Sequence, residues 1–447
     1  MKLNIAETIN EGLMSPFQVA AVTICIVLNM LDGFDVLAMA FTASHISADW
    51  HLNGKALGTL LSSGLFGMAA GSLFLAPWAD RFGRRPIILF CLVTISLGML
   101  LSAFAQDVLQ LAALRAITGI GIGGMLASIN VITSEYSSNK WRSAAISLQA
   151  TGYPVGATIG GTIAGLLLLH YGWRSVFVFG GLVTAVMIPF VLARLPESLD
   201  FLTAKRPPHA LDKLNVLLVK MEREPVAELP APMPVPAGVS PQSSFRSLFV
   251  GPLALKTFMI WASFFLEMFA FYFVLSWTPK LLVAAGMSAQ QGITGGVLLN
   301  VGGIIGGTLF GYMSSRVGLK PLLWGCFIFT AALMVCFGMF ANTLTIAFIV
   351  ALLIGAGIFG CMAGLYAFAP ILYPAQTRTT GMGWAIGIGR LGAVLAPLVA
   401  GSLLDSGWQS GHLYYAFAVP LVLAIGTVAL LGKQSPYVTP AVPSAAV

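Results

Sequence analysis

Leu31-Asp32-Gly33-Phe34-Asp35 interrupts an apolar run from about Phe17 to Ser44, and the cost of holding two acids there governs how the rest of the chain can be read. The run is long enough to cross the ~30 Å hydrocarbon core of a bilayer, and these residues fall near its middle. A bare carboxylate at that depth costs about 2.5 to 3.5 kcal/mol, so it faces a cavity, takes a partner or holds a proton. Spaced by three, Asp32 and Asp35 share one helical face, where each negative charge disfavours the other. Gly33 thins the helix between them and admits a close neighbour, either helix or ligand. Two readings fit: a proton or substrate site, or acids that lie at the helix end or pair structurally with a basic neighbour.

The composition extends that reading to the whole chain. Of 447 residues, 57% are hydrophobic and only 9% charged, with mean hydropathy +0.89, against about 25% charged in soluble domains. This predicts an all-α membrane protein with about a dozen spanning helices. The net charge of +7 is small for the size, and the bases follow topology, so no nucleic-acid partner is expected. Met1 to Ser15 lacks the apolar core and small-residue cleavage site of a signal peptide. Cys25, Cys91, Cys326, Cys336 and Cys361 lie in apolar runs without metal-like spacing. They read as packing residues, with neither disulfides nor a metal or cofactor implied.

Apolar runs bounded by polar, Gly or Pro punctuation predict helices near 17–44, 56–79, 86–105, 108–133, 143–169 and 174–194. A second six follow near 253–277, 292–314, 321–340, 344–369, 380–404 and 412–432. The domains expected are therefore an N-terminal half at 1–194, a hydrophilic linker at 195–252, a C-terminal half at 253–433 and a tail at 434–447. The linker carries the Pro-rich Pro230 to Pro236 after its charged stretch and is expected to hold one short helix around Ala210 to Glu224. With the N-terminus inside, eighteen of the 23 Lys and Arg fall on the cytoplasmic side, three on the far side, and Arg115 and Arg390 within helices. That bias orients both termini inward.

A shift of 235 residues lays Asp80-Arg-Phe-Gly-Arg-Arg-Pro86 on Ser315-Arg-Val-Gly-Leu-Lys-Pro321, Cys91 on Cys326, and Leu31-Asp32 on Leu266-Glu267. One further residue of offset brings Gly119 onto Gly355, Gly124 onto Gly360 and Arg142 onto Arg378. Matches in one register across loops and helices predict two six-helix halves in parallel repeat, suited to rocking about a central site.

With Asp80-Arg-x-Gly-Arg-Arg85 between the second and third helices and Arg115-x-x-x-Gly119-x-Gly121 on the fourth, the chain resembles the major facilitator superfamily over nearly its full length. Asp32-Gly-Phe-Asp35, Leu195-Pro-Glu-Ser198, Ser276-Trp-Thr-Pro279 at the expected end of the seventh helix and Gly389-Arg-Leu-Gly-Ala393 resemble its aromatic acid:proton symporters. These are permeases for benzoate, hydroxybenzoates, protocatechuate and related acids. The resemblance implies a role in proton transfer for Arg115, for which a structural ion pair is the alternative. It also implies a cytoplasmic gate in Asp80, Arg81, Gly83, Arg84 and Arg85, paired with helix ends or with Glu135 and Arg142.

Arg390, mid-helix and flanked by Gly387, Gly389 and Gly392, carries the planar cation best suited to hold a carboxylate bidentately. Its alternative is to neutralise Asp32, Asp35 or Glu267. Glu267 stands among Phe264, Phe265, Phe269, Phe271, Tyr272 and Phe273, and Phe271 and Tyr272 are candidate ring contacts for a substrate. Trp277, near the expected helix end, reads as an interfacial anchor. Glycines at 119, 121, 123 and 124, and at 152, 156, 160 and 161, read as close helix contacts. With no strand before them, they are not a nucleotide loop.

The expected activity is therefore proton-coupled import of a small aromatic carboxylate, by a monomer in the cell inner membrane that is not an enzyme. Asp32, Asp35, Glu267 and Arg115 are the proton-coupling candidates; Arg390, Asp32, Asp35, Phe271 and Tyr272 are the substrate-binding ones. The alternatives are a permease for a dicarboxylate or muconate, and a drug:proton antiporter, which a central arginine disfavours.

Overall fold

The computed structural model describes residues 14–229, 246–341, 343–373 and 375–431; Pro230 to Pro236 and the tail lie outside them. The described residues form fourteen helices: α1 Pro16–Asp49, α2 Gly54–Phe82, α3 Arg84–Ser102, α4 Val108–Tyr136, α5 Asn139–His170, α6 Trp173–Arg194, α7 Leu199–Lys205, α8 Ala210–Lys220, α9 Pro252–Ala284, α10 Ala289–Val317, α11 Leu319–Phe340, α12 Leu344–Leu372, α13 Ala375–Asp405 and α14 Ser410–Leu430. All but α7 and α8 are long and apolar enough to span a membrane, which makes twelve.

Helix ends follow local capping more closely than hydropathy. Ser15 with Gln18, and Ser288 with Gln291, form capping boxes that start α1 and α10, and Asp107 accepts from the Gln110 amide at the head of α4. Two expectations need correction. The linker holds a second helix, α7, and α8 stops at Lys220 rather than Glu224. Pro279 does not end the seventh spanning helix: α9 runs on to Ala284. Proline at 279 removes the amide that would bond the Leu275 carbonyl, yet the helix carries through; Thr278 beside it back-bonds to the Val274 carbonyl and meets the Tyr414 hydroxyl, tying α9 to α14 at that level. Trp277 is consequently fully buried, not an interfacial anchor.

The two halves pack alike. α1 lies on α5 as α9 lies on α13, and α2 on α4 as α10 on α12. Backbone meets backbone in these pairs: a Cβ at Gly119 or Gly123 would collide with the carbonyls of Gly64 or Met68, and one at Gly355 with that of Leu299. The same holds on α5, where a Cβ at Gly156 would strike the Met30 carbonyl. The register of the repeat reaches single residues, since Gly124 of α4 lies against the sulfur of Cys91 on α3 as Gly360 of α12 lies against that of Cys326 on α11. All five cysteines are free and at least half-buried.

Between halves, α2 packs on α13 and α5 on α10, at the face opposite the basic turns. The Asp405 carboxylate accepts from the backbone amides of Gly54 (2.6 Å) and Lys55 (2.8 Å) at the head of α2. One turn and two turns deeper, Gly58 lies against the Pro397 carbonyl and the Ser62 hydroxyl donates to Val394 (2.7 Å). A carboxylate of one half thus caps a helix N-terminus of the other, where backbone amides and the helix dipole both favour negative charge. Replacing Asp405 by Ala should loosen this seal by about 1 kcal/mol and raise several-fold the rate at which a polar maleimide labels a cysteine placed at Ser62 from that face. An unchanged rate would mean that the glycine contacts hold the face closed unaided.

Candidate functional site

The acids of α1 point into the N-terminal half. Asp32 and Asp35 are buried, and neither Asp32 oxygen nor Oδ1 of Asp35 finds a hydrogen-bond donor among the described residues. Asp35 Oδ2 receives a long hydrogen bond from Thr184 of α6 (3.5 Å). Arg115, buried on α4, donates from Nη2 to the backbone carbonyl of Asp35 (2.7 Å), reaches Met99 of α3 through Nη1, and lies over the Phe177 ring at 5.6 Å. It is held by the α1 backbone, not by a carboxylate oxygen at ion-pair distance, although its charge acts on Asp35. Gly33 presses on the backbone of Tyr153, so α5 meets α1 at the level of the acids.

Arg390 stands at the middle of α13, half-buried, with no hydrogen bond or ion pair among the described residues. Gly389 and Gly392 bring α13 close onto Phe264, Phe265 and Met268 of α9. The charge of Arg390 acts on Tyr272 of α9, Tyr366 of α12 and Tyr153 of α5, and Tyr153 also interacts with Asp32. Tyrosines of three helices, from both halves, thus lie within electrostatic reach of one guanidinium, and Tyr153 is within reach of the α1 acid as well. Tyr153 and Tyr366 were not singled out from the sequence; an isolated tyrosine in an apolar run carries no pattern of its own. Phe271 is nearly fully buried, packed edge-on against Tyr272 and Phe359, so it supports the tyrosine's position.

Glu267 lies elsewhere, inside the C-terminal half. It is fully buried, neither oxygen has a donor among the described residues, and its charge acts on Cys326 and Cys361.

At the basic face, Gly83 joins α2 to α3 with φ +103°, a conformation suited to glycine. Arg84 pairs with Asp80 (3.2 Å) and donates to the Ser198 hydroxyl (3.0 Å), which in turn donates to Glu135 (2.9 Å). Arg85 reaches the Leu192 carbonyl, Arg81 lies over Phe82, and Arg142 donates to Ser134 and Ser137 across its own turn. All these partners belong to the N-terminal half or to the segment just after it. In the sequence Glu197 stands out only as part of Leu195-Pro-Glu-Ser198. Its Oε1 accepts from the Arg84 (2.7 Å) and Arg85 (3.3 Å) amides, capping α3 from the far end of the half. The signal was there in an acid set beside the helix-starting Ser198. Glu197→Ala should strand those amides, cost about 1–2 kcal/mol and lower the thermal midpoint of the purified protein by a few degrees, while Glu197→Gln, which keeps an acceptor oxygen, should lose less.

Two six-helix bundles in parallel repeat, sealed at one face and converging on a polar centre, define a membrane transporter. The chain belongs to the Major Facilitator Superfamily, whose family model matches residues 22–370 and again 297–446. It is 31% identical to the 4-hydroxybenzoate transporter PcaK of Pseudomonas aeruginosa over 97% of both chains. It is also 31% identical to a gallate transporter of Pseudomonas putida, over 98% of this chain and 97% of that one. The benzoate transport protein of Acinetobacter baylyi is 27% identical over 98% and 94%. Among solved structures, an inward open conformation of the xylose transporter XylE from E. coli superposes with TM-score 0.75 at 16% identity, covering 94% of this chain and 97% of that one. That likeness speaks for the fold alone.

Proposed function

We propose that the protein imports a small aromatic carboxylate together with protons, by alternating access across the cell inner membrane, with the basic face and both termini in the cytoplasm. The carrying observation is Arg390: a half-buried cation without an ion-pair partner among the described residues, ringed by tyrosines of both halves, at the membrane's middle. The planar fork of arginine suits a carboxylate, which favours an anion over a cationic drug. Relatives that carry 4-hydroxybenzoate, gallate and benzoate support an aromatic one.

In this reading Asp32 and Asp35 are the proton sites, Arg115 fixes the backbone at Asp35, and Glu267 holds a further proton in the second half. Substrate on Arg390 and protons on the α1 acids remove the charges that resist occlusion, so the loaded halves rock and the half-loaded ones do not. The turn Asp80 to Arg85, with Glu135 and Arg142, forms the cytoplasmic gate, and residues 195–252 link the halves on that side. The transporter works as a monomer.

Uptake of labelled 4-hydroxybenzoate into proteoliposomes should rise as external pH falls and stop when an uncoupler collapses the gradient. Asp32→Asn and Asp35→Asn should abolish gradient-driven accumulation while leaving some exchange, and Arg390→Ala should raise KM at least about tenfold, as loss of a charged hydrogen-bonding partner does. Accumulation that survives collapse of the gradient under clamped potential would overturn proton coupling. Competition by muconate or succinate, but not by benzoate, would assign a non-aromatic acid instead.

A further inference from the structure

The unused group at the centre is the phenol of Tyr153. Its hydroxyl is buried and finds no hydrogen-bond partner among the described residues, in a side chain that is otherwise half-buried. A buried hydroxyl left unpaired costs about 1–3 kcal/mol, and such a group in a substrate chamber is a ready reader of a matching polar group. Its position is fixed from behind, because the Tyr153 backbone lies against Gly33, between Asp32 and Asp35. Its phenol lies within electrostatic reach of Asp32 in its own half and of Tyr272 and Arg390 in the other. Tyr272 and Tyr366 likewise lie within reach of Arg390. Tyr153 stands on α5, packed on the acid-bearing α1, whereas Tyr272 stands on α9, which Gly389 and Gly392 draw onto the helix of Arg390 itself.

We infer that Tyr153 reads a hydroxyl on the substrate's ring, selecting hydroxylated aromatic carboxylates over the unsubstituted acid. This rests on the reading of Arg390 as the carboxylate anchor. A carboxylate held by Arg390, with the hydroxyls of Tyr272 and Tyr366 beside it, directs the opposite edge of the ring toward α5 and α1. A ring hydroxyl arriving there gives the Tyr153 phenol its missing partner, and an unsubstituted ring leaves it unpaired. Sites built to hydrogen-bond a substrate hydroxyl discriminate against the analogue lacking it far more strongly than apolar pockets do.

The test is transport by the full-length protein in proteoliposomes under an imposed proton gradient, with labelled 4-hydroxybenzoate, 3-hydroxybenzoate and benzoate. The wild type should transport one hydroxybenzoate with kcat/KM at least about tenfold above benzoate, the discrimination expected of one well-placed hydrogen bond. Tyr153→Phe should reduce that ratio to near unity, by a loss on the hydroxylated acid. Tyr366→Phe should instead weaken all three acids together. A wild-type competition series needs no variant: at the selected ring position, hydroxyl should outcompete methyl and fluoro groups of similar size. The inference fails if the wild type handles benzoate and both hydroxybenzoates alike, if Tyr153→Phe preserves the ratio or lowers every acid equally, or if methyl competes as well as hydroxyl. Failure of the underlying reading looks different, with no gradient-driven uptake of any aromatic acid.

Discussion

A carboxylate out of water needs donors, and this chain supplies them selectively. At helix ends it does so generously: Glu197 collects the first amides of α3, Glu135 takes the Leu199 amide and the Ser198 hydroxyl, and Asp405 takes two amides of α2. Each acid takes first-turn amides that remain beside the local cap, which at α2 is Asn53 on the Ala56 amide and at α7 is Ser198 on the Phe201 amide. Midway through the bundle the provision stops. Both oxygens of Asp32 and of Glu267 lack a donor among the described residues. A sequence that caps its peripheral acids so fully does not leave the central ones bare for want of donors. Bare acids at that depth are tolerable when neutral, and a group that is neutral in one state and charged in another is what proton coupling requires.

The repeat explains why the two halves share a frame and differ in chemistry. Gly124 against Cys91 and Gly360 against Cys326 are the same place seen twice, and Asp32 and Glu267 are at equivalent positions in the repeat. The arginines are not. Arg115 has Val350 or Ala351 at its counterpart, and Arg390 has Pro154 or Val155. Each half thus carries one membrane arginine at a position where the other has none. The N-terminal half sets its cation against an acid-bearing helix, and the C-terminal half leaves its cation open to the centre. The repeat gives both halves one scaffold, and departures from it set the two arginines in different surroundings, the difference on which the proposed division between proton and anion handling rests.

Most of the fold was legible because membrane helices announce themselves by length and composition, and twelve apolar runs became twelve spanning helices. The errors share a cause. Hydropathy marks where a helix leaves the hydrocarbon, while hydrogen bonding decides where it ends. α1 therefore runs to Asp49 beyond the expected 44, and α9 passes Pro279, which removes a single backbone bond, to reach Ala284. For the site, charged residues were visible because they are rare: Asp32, Asp35, Arg115, Glu267 and Arg390 stand out against lipid-facing residues. Which of them meet was not visible, since Glu267 and Tyr272 are five residues apart on one helix yet face different neighbours. Tyr153 became meaningful only when α5 was laid against α1.

The contacts also say where the molecule can move. Within each half, glycines bring backbones together along the helix pairs, as Gly119 and Gly123 do on α2, and close-packed backbone contacts transmit displacement rather than absorb it. Across the halves, the bonds to Asp405 and Ser62 lie toward one face, while the central level holds hydroxyls and a guanidinium without fixed partners. Rigid bodies joined by a seam at one end and by weakly partnered groups at the middle pivot there. A ligand that ties Arg390 on α13 to Tyr153 on α5 acts on that middle level, where a small binding energy alters the balance between the two ends. In the proposed reading, recognition and rocking then follow from the same contact, because Arg390 and Tyr153 stand on different halves.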